Sequence, residues 1–134
     1  MIGQQIGEER GQVLVRRVLP TEGAPKIEVS FEAQGQILGV SVADMGTYVS
    51  SIRPDGTLYG EGSGITRSSD GSEIATWTGS GVGQLTSDGG ASYRGAIYFQ
   101  SQTPKLSRLN GIAALFEYNV DGSGKTESTL TEWK

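Results

Sequence analysis

The stretch 58–85, LYGEGSGITRSSDGSEIATWTGSGVGQL, decides the fold. Asp70-Gly71 lies at its middle, and Asp-Gly suits a tight hairpin tip because glycine takes a positive φ at no steric cost. With that pair at the tip the register follows. Gly64 faces Trp77, Gly62 faces Gly79, Gly60 faces Gly81 and Leu58 faces Gly83. Side chains alternate across a strand, so all of these glycines share one face, bounded by Leu58, Trp77 and Leu85. The other face carries Tyr59, Glu61, Ser63, Ile65 and Arg67 beside Thr76, Thr78, Ser80 and Val82, and it reads as solvated.

The same punctuation recurs on both sides of this hairpin. Asp55-Gly56, Asp88-Gly89-Gly90 and Asp121-Gly122 each separate two β-rich runs, and Thr103-Pro104 ends another ladder because proline has no N–H. Strands are expected over residues 12–19, 26–35, 46–53, 57–67, 73–86, 92–102, 112–120 and 125–133. No stretch holds a 3.6-residue apolar period, so no long helix is expected, and only 104–110 suits a helical turn. Consecutive hairpins make a meander, and a meander of about eight strands gains by closing, because closure removes its edges. The expected fold is therefore all-β: a single antiparallel up-and-down barrel over residues 1–134, with 1–11 read as a disordered N-terminal segment. A two-sheet sandwich is the rival, and it would usually show a long crossover.

Composition narrows the chemistry. The chain has 134 residues, 0 His and 0 Cys. This length buries enough surface to fold without a staple. Without imidazole or thiol, Ser-His-Asp catalysis, thiol nucleophiles and His/Cys metal sites are excluded, and no cofactor is expected. Net charge is -4 and the basic residues are scattered, which argues against a nucleic-acid partner. No apolar run is long enough for a membrane helix and the N-terminus has no apolar signal region, so a cytoplasmic protein is expected.

The glycine rows need a reason, since glycine in a strand costs about 0.5–1 kcal/mol against alanine. Sharp coiling of a small barrel is one. A cavity with a bare backbone floor over Trp77 is another, and an outer patch where a second subunit packs is the third. A phosphate loop is not, because its glycines sit between a strand and a helix.

The strand after Asp88 poses a choice. An even loop continues the glycine face onto Arg94, Ala96 and Tyr98, whereas a three-residue loop brings Tyr93, Ile97 and Phe99 there. The second set is more apolar and is preferred, with Arg94 outward. In the next strand Ile112, Ala114, Phe116 and Tyr118 oppose Ala113, Leu115, Glu117 and Asn119. The first face is the better core, and were the second inward, Glu117 would be a buried acid or base. Ile27, Val29, Phe31 and Ala33 alternate with Glu28, Ser30, Glu32 and Gln34 in a half-buried strand.

With these residues laid out, the chain resembles the allene-oxide-cyclase-like barrels, which include dirigent proteins, spirotetronate cyclases and small bacterial barrel proteins. The matching stretches are GTYVSSIRPDGTLYGEG at 46–62, TWTGSGVG at 76–83, SYRGAIYF at 92–99 and LSRLNGIAALFEYNVDG at 106–122, so the likeness covers about 26–122. The resemblance implies an eight-stranded barrel with an apolar pocket, dimers or trimers, and enzymes that steer reactive molecules by shape without a cofactor. The leading expectation is a barrel that binds a small apolar ligand through Phe31, Trp77, Tyr93, Phe99 and Leu115. The alternatives are a cofactor-independent cyclase or isomerase using Glu117 or a pocket tyrosine, and a structural or oligomerising module with a packed interior.

Overall fold

The computed structural model describes residues 1–134. Eight strands run β1 Ile2–Leu19, β2 Lys26–Ile37, β3 Val40–Ile52, β4 Leu58–Ser68, β5 Ile74–Leu85, β6 Ala91–Gln100, β7 Ala113–Val120 and β8 Lys125–Trp133. They pair antiparallel in chain order, and β1 also pairs with β8, which closes the barrel. The deciding hairpin has the expected register, with Leu58 opposite Gly83, Gly60 opposite Gly81, Gly62 opposite Gly79 and Gly64 opposite Trp77. Its glycines face the interior, which removes the outer glycine patch as a place for a second subunit. Tyr93, Ile97 and Phe99 also point inward, since Leu85 pairs with Ala91 and Gly79 with Ile97.

Two departures lie near the N-terminus. Residues 2–11 are part of β1 and pair with β2 and β8, so they form barrel wall. The strand expected at 46–53 begins earlier, at Val40, and meets β2 through a two-residue turn, Leu38-Gly39, with φ of 53° and 76°. Leucine is a poor residue for a positive φ, but Leu38 packs against the core, which holds it there.

The two ends of the barrel differ. One carries the β1–β2, β3–β4, β5–β6 and β7–β8 connections. Three of these turn on an aspartate whose Oδ1 accepts a backbone N–H two residues on: Asp55 from Thr57, Asp88 from Gly90 and Asp121 from Ser123. The other end is plugged by a 3-10 turn, η1 Leu106–Gly111, whose Leu106 and Leu109 are fully buried. Glu73 Oε1 anchors this plug by accepting the N–H groups of Lys105 and Leu106 at 2.8 and 2.9 Å. Asn110 completes it by exchanging two hydrogen bonds with the Ser101 backbone. No helix is long and apolar enough to cross a membrane.

Candidate functional site

The interior is built from cross-strand rows, and two of them make the site. In one row Phe31, Gly46, Gly64, Trp77 and Phe99 lie side by side from β2 to β6. Trp77 can lie flat on the wall only because its neighbours lack side chains. A Cβ on Gly64 would stand 2.4 Å from the indole, and one on Gly46 would stand 2.6 Å from it. The indole thus crosses β4 and donates from Nε1 to Asp44 Oδ1 on β3, at 2.8 Å. In the adjacent row Gly11, Ala33, Asp44, Thr66 and Ala75 are neighbours.

Glu9 of β1 completes the group. It is 8% exposed and Asp44 is 6% exposed, so two carboxyl groups share one apolar interior. Burial is the main cause that lifts the Glu9 pKa from 4.5 to about 9, and the charge of Asp44 and a hydrogen bond to it add to the shift. Burial also raises Asp44, opposed by the hydrogen bonds it accepts, that of Trp77 first. Two like charges this close do not both ionise, so at neutral pH the pair holds a proton, carried by Glu9. Glu9 Oε2 and the Thr66 hydroxyl make no hydrogen bond of ordinary geometry although buried, while both side chains bear on the Asp44 carboxyl. Such atoms are uncommon and each wants an explanation.

Beside the pair lies a cavity of about 100 Å³ lined by Glu9, Asp44, Phe31, Trp77, Ile97 and Phe116 among others. One wall is the bare backbone of Gly60, Gly62, Gly79 and Gly81. The glycine rows therefore serve two ends: Gly64 makes room for Trp77 and Gly83 for Tyr93, while Gly60, Gly62, Gly79 and Gly81 line the cavity. On the side away from the plug the cavity is roofed by Tyr48, Tyr93 and Tyr118. Their rings meet edge to face or tilted, with centroids 5.7–6.1 Å apart. Tyr93 exchanges a 2.7 Å hydrogen bond with Ser50. Burial raises the pKa of Tyr48, and that of Tyr118 is pushed up to about 12.

Phe31, Trp77, Tyr93 and Phe99 thus line this one cavity. Leu115 does not join them. It pairs with Ala96 and Thr131 on the outer face, because Ala114, Phe116 and Tyr118 take the inward positions of β7. Glu117 is likewise outside, 58% exposed on its side chain, and forms an ion pair with Arg94 at 3.1 Å. It is no candidate for interior acid–base chemistry. The carboxyl groups that do face the cavity, Glu9 and Asp44, fall in segments that the sequence reading left outside the strands.

Solved structures share the fold at low identity. A protein with unknown function from Clostridium acetobutylicum superposes with a TM-score of 0.83 at 10% identity, covering 96% of each chain. A β-barrel-like protein from Acinetobacter baumannii gives 0.81 at 10%, covering 99% of this chain and 96% of that one. An enzyme from Penicillium herquei gives 0.67 at 14%, covering 96% and 92%. No family model and no curated protein matches the chain. What the likeness establishes is the small eight-stranded barrel itself.

Proposed function

We propose that the barrel binds a small cyclic or apolar molecule bearing an oxygen, and transfers protons on it through Glu9 and Asp44 without a cofactor. The observation that carries this reading is the buried carboxyl pair itself, with Glu9 and Asp44 both lining an aromatic cavity. A stability-driven interior would replace two buried carboxyl groups by packed apolar residues at little loss or at a gain. Retaining them at a cavity wall is what an acid–base site needs. Protonated Glu9 would donate to a ligand carbonyl, and ionised Asp44, held by Trp77, would take a proton from the adjacent carbon.

Size limits the ligand. Pockets for drug-sized molecules span roughly 300–1,000 Å³, and a cavity of roughly 150 Å³ holds benzene. At about 100 Å³ this cavity suits a six-membered ring once a lining side chain shifts. The Penicillium herquei neighbour is an enzyme, which agrees with catalysis on this scaffold.

Cyclohexanone is the probe of choice. Its hydrogens next to the carbonyl exchange with D₂O through an enol, a step that needs a base at carbon and an acid at oxygen. The expected result is saturable exchange above the buffer rate that Asp44→Asn abolishes while cyclohexanone still perturbs the amide NMR signals of Gly79 and Ile97. Binding without exchange would leave a ligand-binding barrel and refute the acid–base role. If cyclohexanone perturbs no interior signal, the barrel is a packed structural module.

A further inference from the structure

At the end of the barrel away from the plug, an arginine stands over two buried phenols. β1 holds a bulge between Val13 and Val15. Before it Val13 pairs with inward Phe31; after it Val15 pairs with outward Ser30 and Arg16 pairs with buried Val29. The extra residue flips the alternation and puts Arg16 on the interior register, exposed at the rim in the same cross-strand row as Val29 and Tyr48. Bulges of this kind commonly re-aim a side chain next to a site.

The ion pairs of the chain are Arg17 with Glu28, Arg94 with Glu117 and Arg108 with Glu132, and none involves Arg16. Tyr48 donates to Tyr118 only across 3.5 Å, at the limit of a hydrogen bond. The Arg16 charge lies near enough to both phenols to favour their ionised forms. Burial nonetheless keeps them neutral, so both remain O–H donors. A guanidinium beside two weakly bonded phenols matches a carboxylate, whose two oxygens take such donors.

We infer that Arg16, Tyr48 and Tyr118 form an anion-recognition site at the barrel mouth, which selects small carboxylic acids whose ring enters the cavity. This rests on the reading that the interior takes a ligand, and it is independent of any proton transfer there. The protein carries net charge -4, so its overall field disfavours anions. A preference for the acid over its neutral analogue must come from a local site.

The test compares 3-phenylpropionate with 3-phenylpropionamide, which share a body and differ in charge, by NMR titration of the full chain. The wild type is expected to bind the acid about tenfold more tightly, a difference that added KCl reduces. Arg16→Gln should bring the acid to the level of the amide and leave the amide unchanged. Tyr118→Phe should weaken the acid by a smaller factor. Arg53→Gln, at the same end but bonded to Thr57, should do neither. Equal binding of acid and amide to the wild type overturns the inference, as does a loss of both in Arg16→Gln. Cyclohexanone separates the two claims. If it binds inside while the acid shows no advantage, only the mouth site fails. If neither acid, amide nor ketone binds, the interior reading falls with it.

Discussion

Two alanine substitutions on one strand should act in opposite directions, because the interior places their neighbours differently. At Gly64 a Cβ would stand 2.4 Å from Trp77 Cε2 and Cζ2 and 2.5 Å from the Met45 carbonyl oxygen. The carbonyl belongs to the paired strand and cannot move without breaking the ladder, so the indole must retreat by about 1 Å or more to reach ordinary contact. That retreat breaks its 2.8 Å hydrogen bond to Asp44. A bond to a charged group contributes about 1.5–3 kcal/mol and overpacking costs about 1–3 kcal/mol. The gain of alanine over glycine in a strand returns about 0.5–1 kcal/mol. Gly64→Ala should therefore lose about 3 kcal/mol. At Gly60 the nearest atom to a Cβ is Tyr93 Cε1 at 3.5 Å, an ordinary contact. Gly60→Ala keeps the entropic gain and should be about 0.5–1 kcal/mol more stable.

Urea unfolding followed by fluorescence reads both, since Trp77 is buried while Trp133 is exposed. With a slope of about 2 kcal/mol per M, the Gly64→Ala midpoint should fall by about 1.5 M and that of Gly60→Ala should rise by about 0.3–0.5 M. The added methyl at Gly60 also enters the cavity, so this variant should bind cyclohexanone less well while being more stable. Midpoints for the two variants that agree within about 0.2 M would refute the account of the glycine rows, because the wall would then be as open at Trp77 as at the cavity.

Three further outcomes follow from the same interior. Unfolded chains release the Glu9 proton near 4.5 and the folded chain keeps it to about 9, so the folded state binds more protons between these values. This part of the stability is full below the lower value and is lost as pH rises, by at most about 1.4 kcal/mol per pH unit; the raised Asp44 acts in the same direction, and Glu9→Gln should flatten the slope in urea titrations across this window. Trp77→Phe removes the donor to buried Asp44 and should cost about 3 kcal/mol by thermal unfolding, with the Asp44 carboxyl moving further up in a ¹³C NMR titration. Glu117→Gln breaks only an exposed pair and should change stability by less than about 1 kcal/mol while leaving any cyclohexanone exchange intact.

The fold and the site were legible to different degrees, for physical reasons. Asp-Gly turns and alternating runs disclose a meander because each is a local demand on φ or on burial. Tyr93 and Phe99 could be placed inward because an apolar alternation fixes the parity of a strand. Leu115 as a pocket residue goes against that rule, which sets it beside Glu117 on the outer face of β7: a half-buried leucine there, between Ala96 and Thr131, reads like a core residue. Asp44 and Glu9 fail in the opposite sense. Parity carried back from Tyr48 through Gly46 puts Asp44 inward, but Leu38-Gly39 lacks the turn chemistry of the Asp-Gly pairs, so nothing local marks the start of a strand at Val40. Glu9 lies between Glu8 and Arg10, in a segment whose polarity suggests no strand, and its inward neighbours Gly7 and Gly11 carry no side chain to mark a face. Charged residues at inward positions break the very alternation by which strands are recognised. They are tolerated there only where something else holds them, here the indole of Trp77 and a shared proton. A segment that fails the pattern and still forms barrel wall is thus a place to look for chemistry, and both such segments of this chain converge on the same carboxyl pair.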